Sequence, residues 1–68
     1  MGVGPKIKEY RNKAGLTQKD LADKLHVTYQ AVSRWENDDV EPSIDTLKEM
    51  CGILNCSIEE LFDMERKE

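Results

Sequence analysis

Apolar residues recur along this chain at spacings of three and four, and no window alternates with period two. In the first such stretch Ile7, Tyr10, Arg11 and Ala14 fall at i, i+3, i+4 and i+7 and make one helical face. Pro5 suits the first helical position, where its missing N–H is not needed, and Gly15 follows as a C-terminal stop. In the next stretch Leu21, Ala22 and Leu25 form the stripe. Thr17 caps it, Asp20 supplies the acidic half of a capping box, and Leu16 and Leu21 hold the staple positions. The device recurs twice. Thr28 caps a third helix, with Val27 stapled to Val32; Ser57 caps a last one, with Glu60 completing the box and Cys56 stapled to Leu61. Between these a helix starts near Ser43, after Pro42, and carries Ile44, Leu47, Met50, Cys51 and Leu54. The last helix offers Ile58, Leu61 and Phe62. The pattern predicts helices over 5–14, 17–25, 28–36, 43–54 and 57–64, an all-α fold.

Only His26 and Val27 separate the second helix from the cap of the third. A link that short forces the two to cross steeply, which is helix-turn-helix geometry. The third helix is two-faced. At ~100° per residue, Ala31, Val32 and Trp35 cluster on one side, opposite Tyr29, Gln30, Ser33 and Arg34. The second set donates, accepts and stacks, and it suits base edges: Arg pairs with guanine, Gln with adenine, Ser with either, and Tyr touches a thymine methyl or a phosphate. Its blander reading is a solvated surface, but that face lacks the Lys and Glu that such a surface carries. The N-terminus of the preceding helix, at Thr17, Gln18 and Lys19, points unpaired N–H groups outward and offers a phosphate site. Together the two helices make a clamp, one on the backbone and one in the major groove. Trp35 belongs to the apolar stripe and reads as core, as does Tyr10.

Charge sharpens this picture. The chain has 68 residues and a formal net charge of −4, unevenly spread. Residues 1–37 hold seven basic and four acidic residues, net +3; residues 38–68 hold three and ten, net −7. Such asymmetry orients a protein on a charged partner. The length sets one domain at most. Two cysteines, Cys51 and Cys56, are too few for a secreted disulfide framework, and both fall on buried positions as small apolar residues. No signal segment opens the chain and no apolar run nears the roughly 18 residues of a membrane span. A cytoplasmic protein with reduced thiols and no membrane contact is the expectation. His26 stands alone in a turn, without metal-ligand spacing, so no metal and no cofactor are expected. No convergent carboxylate, Cys–His or ligand set suggests an enzyme.

The stretch "LTQKDLADKLHVTYQAVSRWEN" resembles the helix-turn-helix of the phage Cro/repressor-like (XRE) family, and the likeness continues through "PSIDTLKEMCGILNCSIEELF". It spans roughly Ile7 to Phe62. The resemblance implies a compact five-helix, lambda-repressor-like DNA-binding domain over residues 5–64, with the helix-turn-helix motif at 17–36 and residues 65–68 as a tail or the start of a linker. It implies a transcriptional regulator, a repressor in the first instance, that binds double-stranded operator DNA as a homodimer on a palindromic site. Tyr29, Gln30, Ser33 and Arg34 would meet base edges or nearby phosphates. Thr17, Gln18, Lys19, Thr28 and Asn37 would position the backbone, with Gln18 also steadying Gln30. Arg11 and Glu36 would pair structurally.

The sequence departs from the family pattern in places. His26 stands where the family usually has a turn glycine, at a position that tends to need a left-handed backbone. Asp38, Asp39 and Glu41 stand where many relatives carry glycine or basic residues, and carboxylates beside phosphates cost binding. Phe62 and Met64 are the candidate dimer contact. The alternative function is a protein-interaction module of the same fold, such as an antitoxin, in which the acidic residues 38–68 mask a basic partner.

Overall fold

Thr17, Thr28, Ser43 and Ser57 each sit at a helix N-cap in the computed structural model of the protein, which describes residues 2–62. The helices are α1 (Gly4–Lys13), α2 (Gln18–Leu25), α3 (Tyr29–Glu36), α4 (Ile44–Leu54) and α5 (Ile58–Leu61). The fold is all-α, and the described residues hold no strand. Each cap side chain accepts a backbone N–H three residues on, which satisfies a donor that the first turn leaves unpaired. Thr17 with Asp20 and Ser57 with Glu60 complete reciprocal capping boxes. α5 ends at Leu61 with Phe62 as its C-cap, short of the expected 57–64, and residues 63–68, Met64 among them, lie outside the described residues.

Every helix contributes to one core. Ile7, Leu21, Ala22, Val32, Trp35, Leu47, Met50, Leu54 and Leu61 are buried in it together. Leu16, Val27 and Cys56, the residues before three of the caps, pack half-buried against the same cluster. The α2–α3 link turns on His26, whose φ of 60° is left-handed. Its N–H bonds back to Asp23 and that of Val27 to Ala22, so the corner closes on its own backbone. α2 and α3 pack on each other, α1 lies against α3 and α5, and α4 against α2 and α5.

Three expectations need correction. α1 starts at Gly4, so Pro5 is its second residue rather than its first. The reason is a tertiary cap: the Gly4 N–H is taken by the Asp38 carboxylate, and the helical turn reaches back to Val3, which is 1 % exposed. Ala14 is exposed, because the chain leaves α1 there and turns through Gly15 at φ 75°. Ile44 is 59 % exposed; at the entry to α4 the buried residue is Pro42, and the stripe narrows to Leu47, Met50 and Leu54, with Cys51 only half-buried.

Candidate nucleic-acid interface

α3 owes its orientation to its buried back. Val32 is fully buried and Trp35 nearly so, which fixes the rotation of the helix about its axis. The opposite side then faces solvent. Tyr29 is 54 % exposed, Gln30 and Arg34 are exposed, and Ser33 is half-buried at the edge. Thr28 caps the start of this face and Asn37, exposed, ends it.

α2 stands beside that face with its N-terminus open. An open hollow of about 520 Å³ joins the two helix starts, between Thr17, Gln18 and Lys19 on one side and Tyr29 on the other. No carboxylate lines it. Asp20, the acid of the first turn, is drawn back into the capping box. It accepts the Thr17 N–H at 2.9 Å, and these bonds to Thr17 hold its carboxyl below the usual range. Lys19 is exposed and pairs loosely with Asp23 at 3.5 Å.

Behind the hollow lies a buried polar cluster that ties three helices together. Arg11 Nε donates to Glu36 Oε2 at 2.6 Å and Arg11 Nη2 to Glu36 Oε1 at 3.1 Å. Arg11 Nη1 donates to the Leu16 carbonyl at 2.8 Å and to Asn12 Oδ1 at 3.3 Å. Both residues are 7 % exposed. A buried pair is tolerated when its geometry is bidentate and the remaining donors are met, and here four Arg11 N–H groups have partners. Gln18 Nε2 also donates to Glu36 Oε1, at 3.0 Å. The Gln18 amide is thus held by the ion pair. Glu36 is turned inward, away from the polar face of α3.

The sequence did not mark the placement of two further residues. Asn12 lines the hollow from α1, yet nothing in helical spacing marks a polar residue at a helix end as special. Asp38 was expected to sit as a bare carboxylate near a ligand phosphate. Its backbone is left-handed, φ 61°, and its carboxylate is turned onto the Gly4 N–H. Among the described residues no helix is long and apolar enough to cross a membrane, and no cluster of three or more His, Cys, Asp or Glu is placed to hold a metal.

Comparisons with known proteins agree with this geometry. The sequence model of the helix-turn-helix family matches residues 7–61. The transcriptional regulator ImmR of Bacillus subtilis is 39% identical over 62 residues, which cover 91% of this chain and 49% of ImmR. PuuR of Escherichia coli is 33% identical over 67 residues, 98% of this chain and 36% of PuuR. The chain therefore spans between about a third and a half of the length of these relatives. Among solved structures, the P22 c2 repressor in complex with a synthetic operator superposes with a TM-score of 0.82 at 30% identity, covering 90% of this chain and 92% of that one. The N-terminal DNA-binding domain of SinR from Bacillus subtilis gives 0.81 at 30%, covering 96% of each chain. By sequence and by fold, the chain belongs to the helix-turn-helix family of the phage-repressor (XRE) type.

Proposed function

We propose that this chain is a sequence-specific, double-stranded DNA-binding module of a transcriptional regulator, acting as a repressor by occupying an operator. The observation that carries the reading is the α3 face. Tyr29, Gln30 and Arg34 stand in solvent on a helix locked from behind by Val32 and Trp35, next to a hollow with no carboxylate in its wall. A ligand with phosphates on one flank and base edges on the other matches both features. Tyr29, Gln30, Ser33 and Arg34 read bases; Thr17, Gln18, Lys19, Thr28 and Asn37 set the backbone; residues 5–64 form the domain. The position of Asp38 supports the reading further, since one of the three acids expected to repel phosphate is engaged elsewhere.

A single module of this size buries only about 600–1,000 Å² on DNA. A homodimer on half-sites about one helical turn apart gives a tighter complex. Phe62, 39 % exposed, is the described residue proposed for that contact. The target places the protein in the cytoplasm.

The test is titration with random and with selected duplexes at several salt concentrations. Each neutralised phosphate contributes about −0.9 to the slope of log K against log salt, and on the order of three to five contacts per monomer are expected. No duplex binding in dilute salt overturns the reading. In that event the interaction-module reading takes its place, favoured by one feature: Val40 and Ile44, 51 % and 59 % exposed, lie among Asp39, Glu41 and Asp45 and suit a basic protein partner.

A further inference from the structure

We propose that Asn12, at the C-terminal end of α1, is a further residue that positions the DNA backbone, donating its side-chain amide N–H to a phosphate in the hollow at the start of α2. The proposal rests on the DNA-binding reading above and adds a third helix to the contact.

Asn12 is exposed and shares the wall of the hollow with Thr17, Lys19 and Tyr29. A side-chain amide has an acceptor end and a donor end. Here the acceptor end is engaged: Asn12 Oδ1 takes an N–H from Arg11 Nη1 at 3.3 Å. The oxygen is thereby tied to Arg11, and the Nδ2 N–H groups are left for the hollow. Arg11 itself is buried, and four of its five N–H groups are committed: Nε and one of Nη2 to Glu36, and those of Nη1 to Leu16 and Asn12. What the buried cation can do is polarise the amide that it holds. A hydrogen-bonded chain strengthens along its length, so the Asn12 N–H is a better donor than that of a free asparagine.

The rest of the wall points to the same ligand. Thr17 spends its backbone N–H and its hydroxyl on Asp20, which draws that carboxylate out of the wall of the hollow. Lys19 is exposed at the rim. Donors therefore face the hollow and no carboxylate opposes them. An oxyanion fits this set, and the sugar-phosphate backbone beside a base-reading helix supplies one.

The chemistry gives a signature distinct from that of either a lysine or a base-reading residue. Asn12 is neutral, so its removal releases no counterion. Asn12→Ala should weaken all duplexes, random and selected, by about tenfold, the worth of one hydrogen bond to a charged group, with the salt slope unchanged. Asn12→Asp keeps an oxygen for Arg11 but turns a carboxylate toward the phosphate. It should melt no lower than the parent, bind more weakly than Asn12→Ala and flatten the salt slope. In the parent, the proton resonances of the Asn12 side-chain amide should move when a random duplex is added. Parent binding with no loss in Asn12→Ala, or resonances that stay in place, overturns the proposal and leaves the DNA reading standing. A loss confined to selected sequences makes Asn12 a base reader and also overturns it. A parent that binds no duplex removes the DNA reading, and the proposal with it.

Discussion

The Asp38 carboxylate accepts the backbone N–H of Gly4 at 3.0 Å, joining the start of α1 to the turn that follows α3. The bond spans 34 positions of sequence and brings the two backbones close together. A Cβ on Gly4 would stand 2.5 Å from the Trp35 carbonyl oxygen and 2.6 Å from that of Glu36. These are backbone atoms and cannot swing away. The end of the candidate recognition helix is therefore fixed by a residue in the first turn of the chain.

Gly4→Ala should destabilise the fold by about 1–3 kcal/mol through overpacking. Asp38→Ala loses the cap and places a Cβ residue without a local partner at a left-handed φ, so it should cost about 1–2 kcal/mol. Asp38→Asn keeps an acceptor oxygen and tolerates that φ, and should stay close to the parent. Urea midpoints for the three variants check the order. Equal midpoints for Asp38→Ala and Asp38→Asn would mean that the carboxylate bond contributes nothing.

Arg11→Ala should lower the melting temperature sharply with no DNA present. It strands the Glu36 carboxylate at 7 % exposure, and breaking a buried pair from one side costs about 3–5 kcal/mol. In a domain this small that approaches the whole stability. The Arg11→Ala, Glu36→Ala double variant should fall short of the summed single losses, because each single change leaves the other charge unpaired. A melt of Arg11→Ala that overlays the parent's would contradict the buried geometry.

The helices were legible because their caps are local. Thr17, Thr28, Ser43 and Ser57 bond to groups three residues away, and the αL turn at His26 follows from a two-residue link. The two faces of α3 were legible for the same reason, since rotation about a helix axis follows from which side is apolar. The start of α1, the inward turn of Asp38 and the hold of Glu36 on Gln18 were not. Each depends on a partner at least 18 residues distant, and no periodicity records such a pairing. Ile44 misled because an apolar residue in a first helical turn fits the stripe by angle, whereas it is Pro42 that is buried at the entry to α4.

Cys51 and Cys56 should be slow thiols. They close the end of α4, where the Cys56 N–H reaches the Cys51 carbonyl at 3.1 Å around Asn55 in the left-handed region. Burial raises both thiols, Cys56 up to about 11. That leaves about a hundredfold less thiolate at Cys56 than its ordinary value allows, and alkylation by iodoacetamide near neutral pH should slow accordingly. A thiol raised in the folded state contributes stability below its unfolded value of 9.0, and this is lost as pH climbs through 11. The urea midpoint should therefore fall between pH 8 and pH 11, and fall less in Cys56→Ala. Alkylation as fast as that of free cysteine would show the pair to be open.

Lys19 and Gln30 separate positioning from reading. Lys19 is exposed at the rim of the hollow, and a backbone contact carries no base information. Lys19→Ala should weaken every duplex by a similar factor and make the salt slope shallower by about one. Gln30 is exposed in the first turn of α3, the part of such a helix that contacts base edges. A lost bidentate pair is worth about 1–3 kcal/mol at one base pair. Gln30→Ala should therefore relax preference at one position per half-site and leave the salt slope nearly unchanged. Both variants should melt like the parent, because neither side chain is buried. Binding measured across selected and scrambled duplexes at three salt concentrations reads both effects at once. If Gln30→Ala keeps the parent's ratios at every site, α3 does not read bases through that residue, and recognition has to rest on Tyr29, Ser33 and Arg34.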